Sequence, residues 1–211
     1  GARLRDAYPG VPIVSEEDAI HSEARPADYW LIDPIDGTAR WSSGFPGFVC
    51  QLARIVDGTV VFSVIHAPVL GSTWTAVRGD GAYLDGEPLP VRQPPPMAGV
   101  VVIDNYPEPR GACDRVMQWL GTDAYVESGS IGLKAALVAT GRADLFVKDV
   151  VVRDWDVAPA LAIAHEVGAF VGGADGRDFP LTGPYEKPDG LIVAVDATLG
   201  QRVAAWLAQG S

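Results

Sequence analysis

Cysteine is nearly absent from this chain. It occurs 2 times in 211 residues, as Cys50 and Cys113, with no CxxC pair and no His–Cys cluster. That excludes a disulfide framework and a thiolate zinc site, and it points to a reducing cytoplasm as the compartment. Positive charge is scarce as well. Lys and Arg number 16 against 27 Asp and Glu, a formal net charge of −11, and no basic run supplies a local exception. A nucleic-acid polymer is therefore not an expected partner. No apolar stretch approaches the ~18 residues of a membrane helix, so no membrane is expected either. The opening GARLRDAYPG is neither a signal peptide nor a transit peptide. It reads instead as the tail of a helix running into Tyr8-Pro9-Gly10.

What remains is an ordinary globular composition, 48% hydrophobic and 20% charged, with acid in excess. Carboxylates in excess can hold hard cations. At about 150 residues per domain the length suits one large domain or two packed lobes. The first part reads as short strands. Val11 to Ser15 and Tyr29 to Ile32 are strand candidates, and residues 19–28 suggest a loop. Phe48–Val56 and Thr59–His66 flank Asp57-Gly58, a strong hairpin signal. Thr73–Val77 and Gly81–Leu84 continue between glycine-rich turns. The composition shifts at QPPP (93–96), which sets expected lobes of 1–96, mainly antiparallel, and 97–211, alternating. Beyond the shift, Val100–Ile103, Ala143–Lys148 and Leu191–Val195 read as strands. Helical spacing marks Cys113–Leu120, Leu133–Thr140, Val157–Val167 and Leu199–Leu207. The expected fold class is α/β, helices and sheets in layers.

Three acidic clusters stand out, each read as lying at the end of a strand candidate: Glu16-Glu17, Asp33 with Asp36, and Asp154 with Asp156. In DPIDGT, Pro34 holds Asp33 extended and Gly37 permits a sharp turn, so two carboxylates and the Ile35 carbonyl can converge. Such an all-oxygen set suits a hard cation, and Mg²⁺ in particular shares its shell with waters and phosphate oxygens. Each piece also has a plainer reading. Ser15 with Asp18 resembles a capping box, Asp36-Gly37 is a common turn, and Asp156 is a plausible helix N-cap. Their co-occurrence favours the metal.

The string YWLIDPIDGTARW, preceded by VSEED and followed by RDWDVAPALAIAHEVGA, resembles the inositol monophosphatase superfamily, which includes the 3′(2′),5′-bisphosphate nucleotidases. GDGAYLDGEPL is similar to its G-x-G-A-x-x-N-G stretch, with Asp85 where Asn is usual. GSIGLKAALVATGRADLFV resembles its G-S-x-x-L…A-x-G-x-A-D segment. The resemblance implies an α+β layered sandwich of the inositol monophosphatase/fructose-bisphosphatase type, and a Mg²⁺-dependent, lithium-sensitive phosphomonoesterase. Two or three Mg²⁺ ions would be held by Glu16, Asp33, the Ile35 carbonyl, Asp36 and Asp156. Thr38 and one metal would activate water, with Asp36 beside them, and Gly37, Thr38 and Asp156 would meet the phosphate. Family precedent favours Glu16 over Glu17 as the ligand. A homodimer is also implied.

The family's opening segment carries a T-x-[AV]-D motif that helps position the attacking water, and none precedes Ser15. Metal and phosphate binding with weakened turnover is the expectation. The alternative is a non-catalytic metal- or phosphate-binding protein. SEED and Leu133-Lys134 look like the nucleotidase branch, Phe45-Pro46 like the inositol phosphate branch, so a small phosphorylated metabolite of either kind is the expected partner. Lys134 reads as a surface lysine or as a contact for a second phosphate, and Arg40 is open in the same way. His21, His66 and His165 read as structural or solvated. Trp41, Trp74, Trp119, Trp155 and Trp206 read as packing residues, with Trp155 wedging a metal-bearing loop.

Overall fold

Two sheets divide the strands of the computed structural model, which describes residues 2–17, 25–42, 44–93 and 95–209. The chain opens with a short helix α1 (Ala2–Ala7). A seven-stranded sheet follows, built in chain order from β1 (Ile13–Ser15), β2 (Asp28–Asp36), β3 (Val49–Val56), β4 (Thr59–Ala67), β5 (Ser72–Val77), β6 (Gly81–Leu84) and β7 (Glu87–Pro88). β1 and β2 are parallel, and every later pair is antiparallel. A five-residue helix α2 (Thr38–Ser42) joins β2 to β3. The β3–β4 hairpin turns at Asp57 (φ 48°) and Gly58 (φ 73°), two successive positive φ angles of the kind that match the twist of paired strands. β3 alternates buried and less buried residues along its whole length, as expected of a sheet covered on one face.

The second part contributes β8 (Val102–Asp104), α3 (Gly111–Leu120), β9 (Tyr125–Glu127), α4 (Ile131–Ala139), β10 (Leu145–Lys148), β11 (Val152–Arg153), α5 (Asp154–Val167), β12 (Phe170–Gly172), β13 (Glu186–Lys187), β14 (Leu191–Ala194) and α6 (Ala197–Leu207). The second sheet runs β12-β14-β10-β8-β9, and β11 and β13 form a two-stranded sheet. LFV in β10 and LIVA in β14 are unbroken apolar runs because both faces of this sheet are covered. Phe146 and Val193 face a core shared with Leu133 of α4, Val157 and Ile163 of α5, and Leu31, Ile65 and Trp74 of the first sheet. Leu145, Val147, Ile192 and Ala194 face α3 and α6 through Val116, Leu120, Leu199 and Val203. The layers therefore alternate: sheet, helix pair, sheet, helix pair. α5 ends at Gly168, whose φ of 74° supplies the left-handed cap.

Candidate functional site

Residues three apart on a regular strand point to opposite faces, yet Asp33 and Asp36 are both buried, at 1% and 7% exposure. The pairing with β3 explains this. Asp33 lies opposite Gln51 and Asp36 opposite Val49, so Pro34 and Ile35 together face the single residue Cys50. This bulge carries the extra residue that brings both carboxylates to one side. Pro34 suits it because proline has no N–H to give a ladder. Asp33 Oδ1 accepts the Ile35 N–H at 2.9 Å, fixing the bend from within. Gly37 then turns with φ 91°, and a Cβ there would lie 3.0 Å from Ser130 Cβ. Thr38, exposed, opens α2.

Asp156 arrives from the first turn of α5. It is not the N-cap that its sequence suggested: the helix begins at Asp154, and Asp156 reaches back to accept the Arg153 N–H at 3.1 Å. Carboxylate oxygens of Asp33, Asp36 and Asp156 lie within 4.8 Å of one another. Glu16, half-buried after β1, acts on the same cluster, since its charge helps raise both Asp33 and Asp156. Glu17, by contrast, is exposed.

Burial pushes the Asp33 carboxyl up to about 8, and the charges of Asp36, Glu16 and Asp156 push the same way. Asp36 and Asp156 are also raised, each mainly by burial, with Asp36 acting on Asp156. Asp36 is opposed by the Gly132 N–H, which donates to its Oδ2 at 2.7 Å, and by the charge of Lys134. Gly132 belongs to the first turn of α4, where amides point outward and favour an anion. Asp33 Oδ2 is buried and has no hydrogen-bond partner among the described residues. Three close carboxylates, oxygen donors only, with an unsatisfied oxygen among them, fit a divalent hard cation. A cavity of about 520 Å³ beside them is lined by Glu16, Arg153, Trp155, Pro184, Tyr185 and Glu186.

Several expectations change at this level. Lys134 is no surface lysine: it is 2% exposed, donates to the Gly129 carbonyl at 2.6 Å, lies 3.9 Å from Asp104 and sits over the Phe146 ring. Trp41 is 54% exposed rather than packed, because a five-residue helix presents it outward. Trp155 is buried as expected, but within α5 against Tyr185 rather than on a loop. His66 and His165 are hydrogen-bonded to Thr73 and Glu166. Asp18, His21 and the Arg40 side chain lie outside the described residues. Sequence reasoning missed Gln51, whose Nε2 touches Asp36; a glutamine within an apolar alternation was the available signal. Asp154, paired with Asp156 in the sequence, lies instead fully buried between Arg25 and Lys187.

A layered α/β fold whose bulged strand and helix start gather carboxylates defines a class of proteins with an acidic, cation-suited centre between sheet and helix pair. The profile of the inositol monophosphatase family matches residues 2–209, and the chain belongs to that family. It is 34% identical over 176 residues to a fructose-1,6-bisphosphatase/inositol-1-monophosphatase of Thermotoga maritima, covering 83% of this chain and 67% of the relative. It is 32% identical over 184 residues to the Nus factor SuhB of Xylella fastidiosa, covering 84% and 66%. A 3′(2′),5′-bisphosphate nucleotidase CysQ of Aggregatibacter actinomycetemcomitans is 33% identical over 202 residues, covering 90% and 72%. Among solved structures, an IMPase of Thermotoga maritima superposes with a TM-score of 0.81 at 28% identity, covering 99% of this chain and 79% of that one. The chain thus spans about two thirds of the length of the first of these relatives.

Proposed function

We propose that this chain carries the site of a Mg²⁺-dependent phosphomonoesterase acting on a small phosphate ester, a 3′(2′),5′-bisphosphate nucleotide or an inositol monophosphate. The observation that carries the reading is the convergence of Asp33, Asp36 and Asp156 within 4.8 Å, directly before the Gly37-Thr38 turn. Glu16, Asp33, the Ile35 carbonyl, Asp36 and Asp156 would hold two or three Mg²⁺ ions. Bound there, the ions supply Lewis acidity toward phosphoryl oxygens and acidify water.

The protein's own part is to hold and orient. The amides around Gly37 and Thr38 cradle the phosphate, as exposed N–H groups at turns do. The Thr38 hydroxyl would orient the attacking water, whose proton would pass to the Asp36 carboxylate, while Asp156 would fix the substrate from the helix side. The cavity beside Glu16 gives room for the organic part of a small ester. The substrate pair is suggested by the names of the relatives, a CysQ nucleotidase and an inositol-1-monophosphatase. Cys50 and Cys113 are both free, which suits a reducing cytoplasm. Among the described residues no helix is long and apolar enough to cross a membrane. A homodimer, which the family resemblance suggests, is checked by sedimentation.

The test is inorganic phosphate release from 3′-phosphoadenosine 5′-phosphate and from inositol 1-phosphate, with and without Mg²⁺, beside Asp36→Asn. Metal-dependent release that disappears in the variant is expected, and the better substrate assigns the branch. A Mg²⁺-induced rise in melting temperature without release from either ester would leave a metal-binding protein and overturn the enzymatic reading.

A further inference from the structure

The amide of Gln51 stands where three elements of the site meet. Its Nε2 lies 3.2 Å from Asp36 Oδ2 on β2, 2.9 Å from the Trp155 carbonyl and 3.4 Å from the Asp156 carbonyl, both on α5. Three acceptors surround one end of the side chain, so that end must be the NH₂ and the orientation of the amide is fixed by chemistry. The other end, Oε1, has no hydrogen-bond partner among the described residues and lies against the Cα of Gly132 on α4, where an added Cβ would be 2.1 Å away. Gly132 in turn gives its N–H to the same Asp36 oxygen, at 2.7 Å. Gln51 is 3% exposed.

Pro159 explains why a donor is needed there. In a regular helix the Trp155 carbonyl would accept from the N–H of residue 159, and proline has none. α5 begins at Asp154, so Pro159 falls in the second turn and leaves that carbonyl to Gln51. One side chain therefore supplies both the missing helical donor and a ligand-orienting bond to Asp36.

We propose that Gln51 is a positioning residue of the metal centre, tying the Asp36 carboxylate of β2 to the Asp156-bearing start of α5 through one buried amide. The proposal rests on the reading of the carboxylate cluster as a divalent-cation site. Residues that hydrogen-bond metal ligands commonly change metal affinity by about 10–100-fold when removed. Gln51→Met keeps the length and removes the donor. Adding Pro159→Ala returns a backbone N–H to the Trp155 carbonyl but gives nothing to Asp36.

The experiment measures Mn²⁺ binding to the whole chain by electron paramagnetic resonance of free Mn²⁺, together with the melting temperature of the metal-free protein. Gln51→Met is expected to weaken Mn²⁺ binding about tenfold. Gln51→Met with Pro159→Ala is expected to regain melting temperature while binding stays weak. Ile55→Val, a core change on the same strand face, is expected to bind as the unaltered protein does. Unchanged binding in Gln51→Met, or binding restored by Pro159→Ala, would reduce Gln51 to a helix-satisfying residue and overturn the proposal. An unaltered protein that binds no Mn²⁺ would overturn the cation site itself, and with it this inference. If Gln51→Met alone fails to fold, the double variant carries the comparison.

Discussion

At the residue scale, the site depends on side chains that are missing as much as on those present. Gly129 packs so closely on Gly47 that a Cβ would lie 1.7 Å from its carbonyl oxygen, backbone against backbone, with no rotamer to relieve it. That contact, with the Ser130 N–H donating to Gly47 O at 2.7 Å, holds the start of α4 against the loop that follows α2. Gly129→Ala should destabilise the fold by about 3 kcal/mol, read from urea unfolding. Gly132→Ala instead meets Gln51 Oε1 and Asp36 Oδ2, so it should weaken Mg²⁺ binding more than stability, as a calorimetric titration would show. The convergence of Asp33, Asp36 and Asp156 was legible in the sequence, because acidic pairs stand out in DPIDGT and around Trp155. Gln51 and Lys134 were not. The role of each depends on partners brought in by the fold, such as the Trp155 carbonyl 104 positions away from Gln51.

At the scale of elements, α5 is anchored by its first residue. Asp154 is fully buried and ion-paired to Arg25 at 2.5 Å and Lys187 at 3.5 Å, while the Arg25 guanidinium also covers the Tyr185 ring. Burial still raises Asp154 and lowers Lys187, so desolvation outweighs their attraction in both groups. Breaking such a pair from one side strands the remaining charges. Asp154→Asn should cost about 3–5 kcal/mol in urea unfolding, and a loss below about 1 kcal/mol would show the cluster to be incidental. Helices α3 to α6 were legible from their apolar spacing, because each is long enough to repeat it. β9, β11, β12 and β13 have two or three residues each, too few to show an alternation. The bulge at Pro34-Ile35 was hidden for another reason: it is defined only by what lies opposite on β3.

At the scale of the whole molecule, layers and shared core follow from the two apolar patterns, alternating in the first sheet and continuous in the second. The chain's net charge of −11 includes buried carboxylates forced together, where burial and mutual repulsion outweigh the opposing charges of Lys134 and Arg153, and this gives a pH signature. Asp33, Asp36 and Asp156 all titrate above their ordinary 3.8 in the folded, metal-free chain. A carboxyl raised by folding contributes stability that is complete below the ordinary value and is lost as pH climbs through the folded value, about 8 for Asp33. The metal-free protein should therefore lose melting temperature between about pH 4 and about pH 8, and the gain on adding Mg²⁺ should grow over the same range. A Mg²⁺ effect that shrinks with rising pH would contradict the carboxylate centre.

The central claim, that these carboxylates form a divalent-cation site serving phosphate chemistry, is tested most directly by the anomalous scattering of crystals soaked in Mn²⁺ and inorganic phosphate. The account predicts Mn²⁺ peaks bounded by Asp33, Asp36 and Asp156, with phosphate at the Gly37-Thr38 turn. Peaks elsewhere, or none at saturating Mn²⁺, would contradict it.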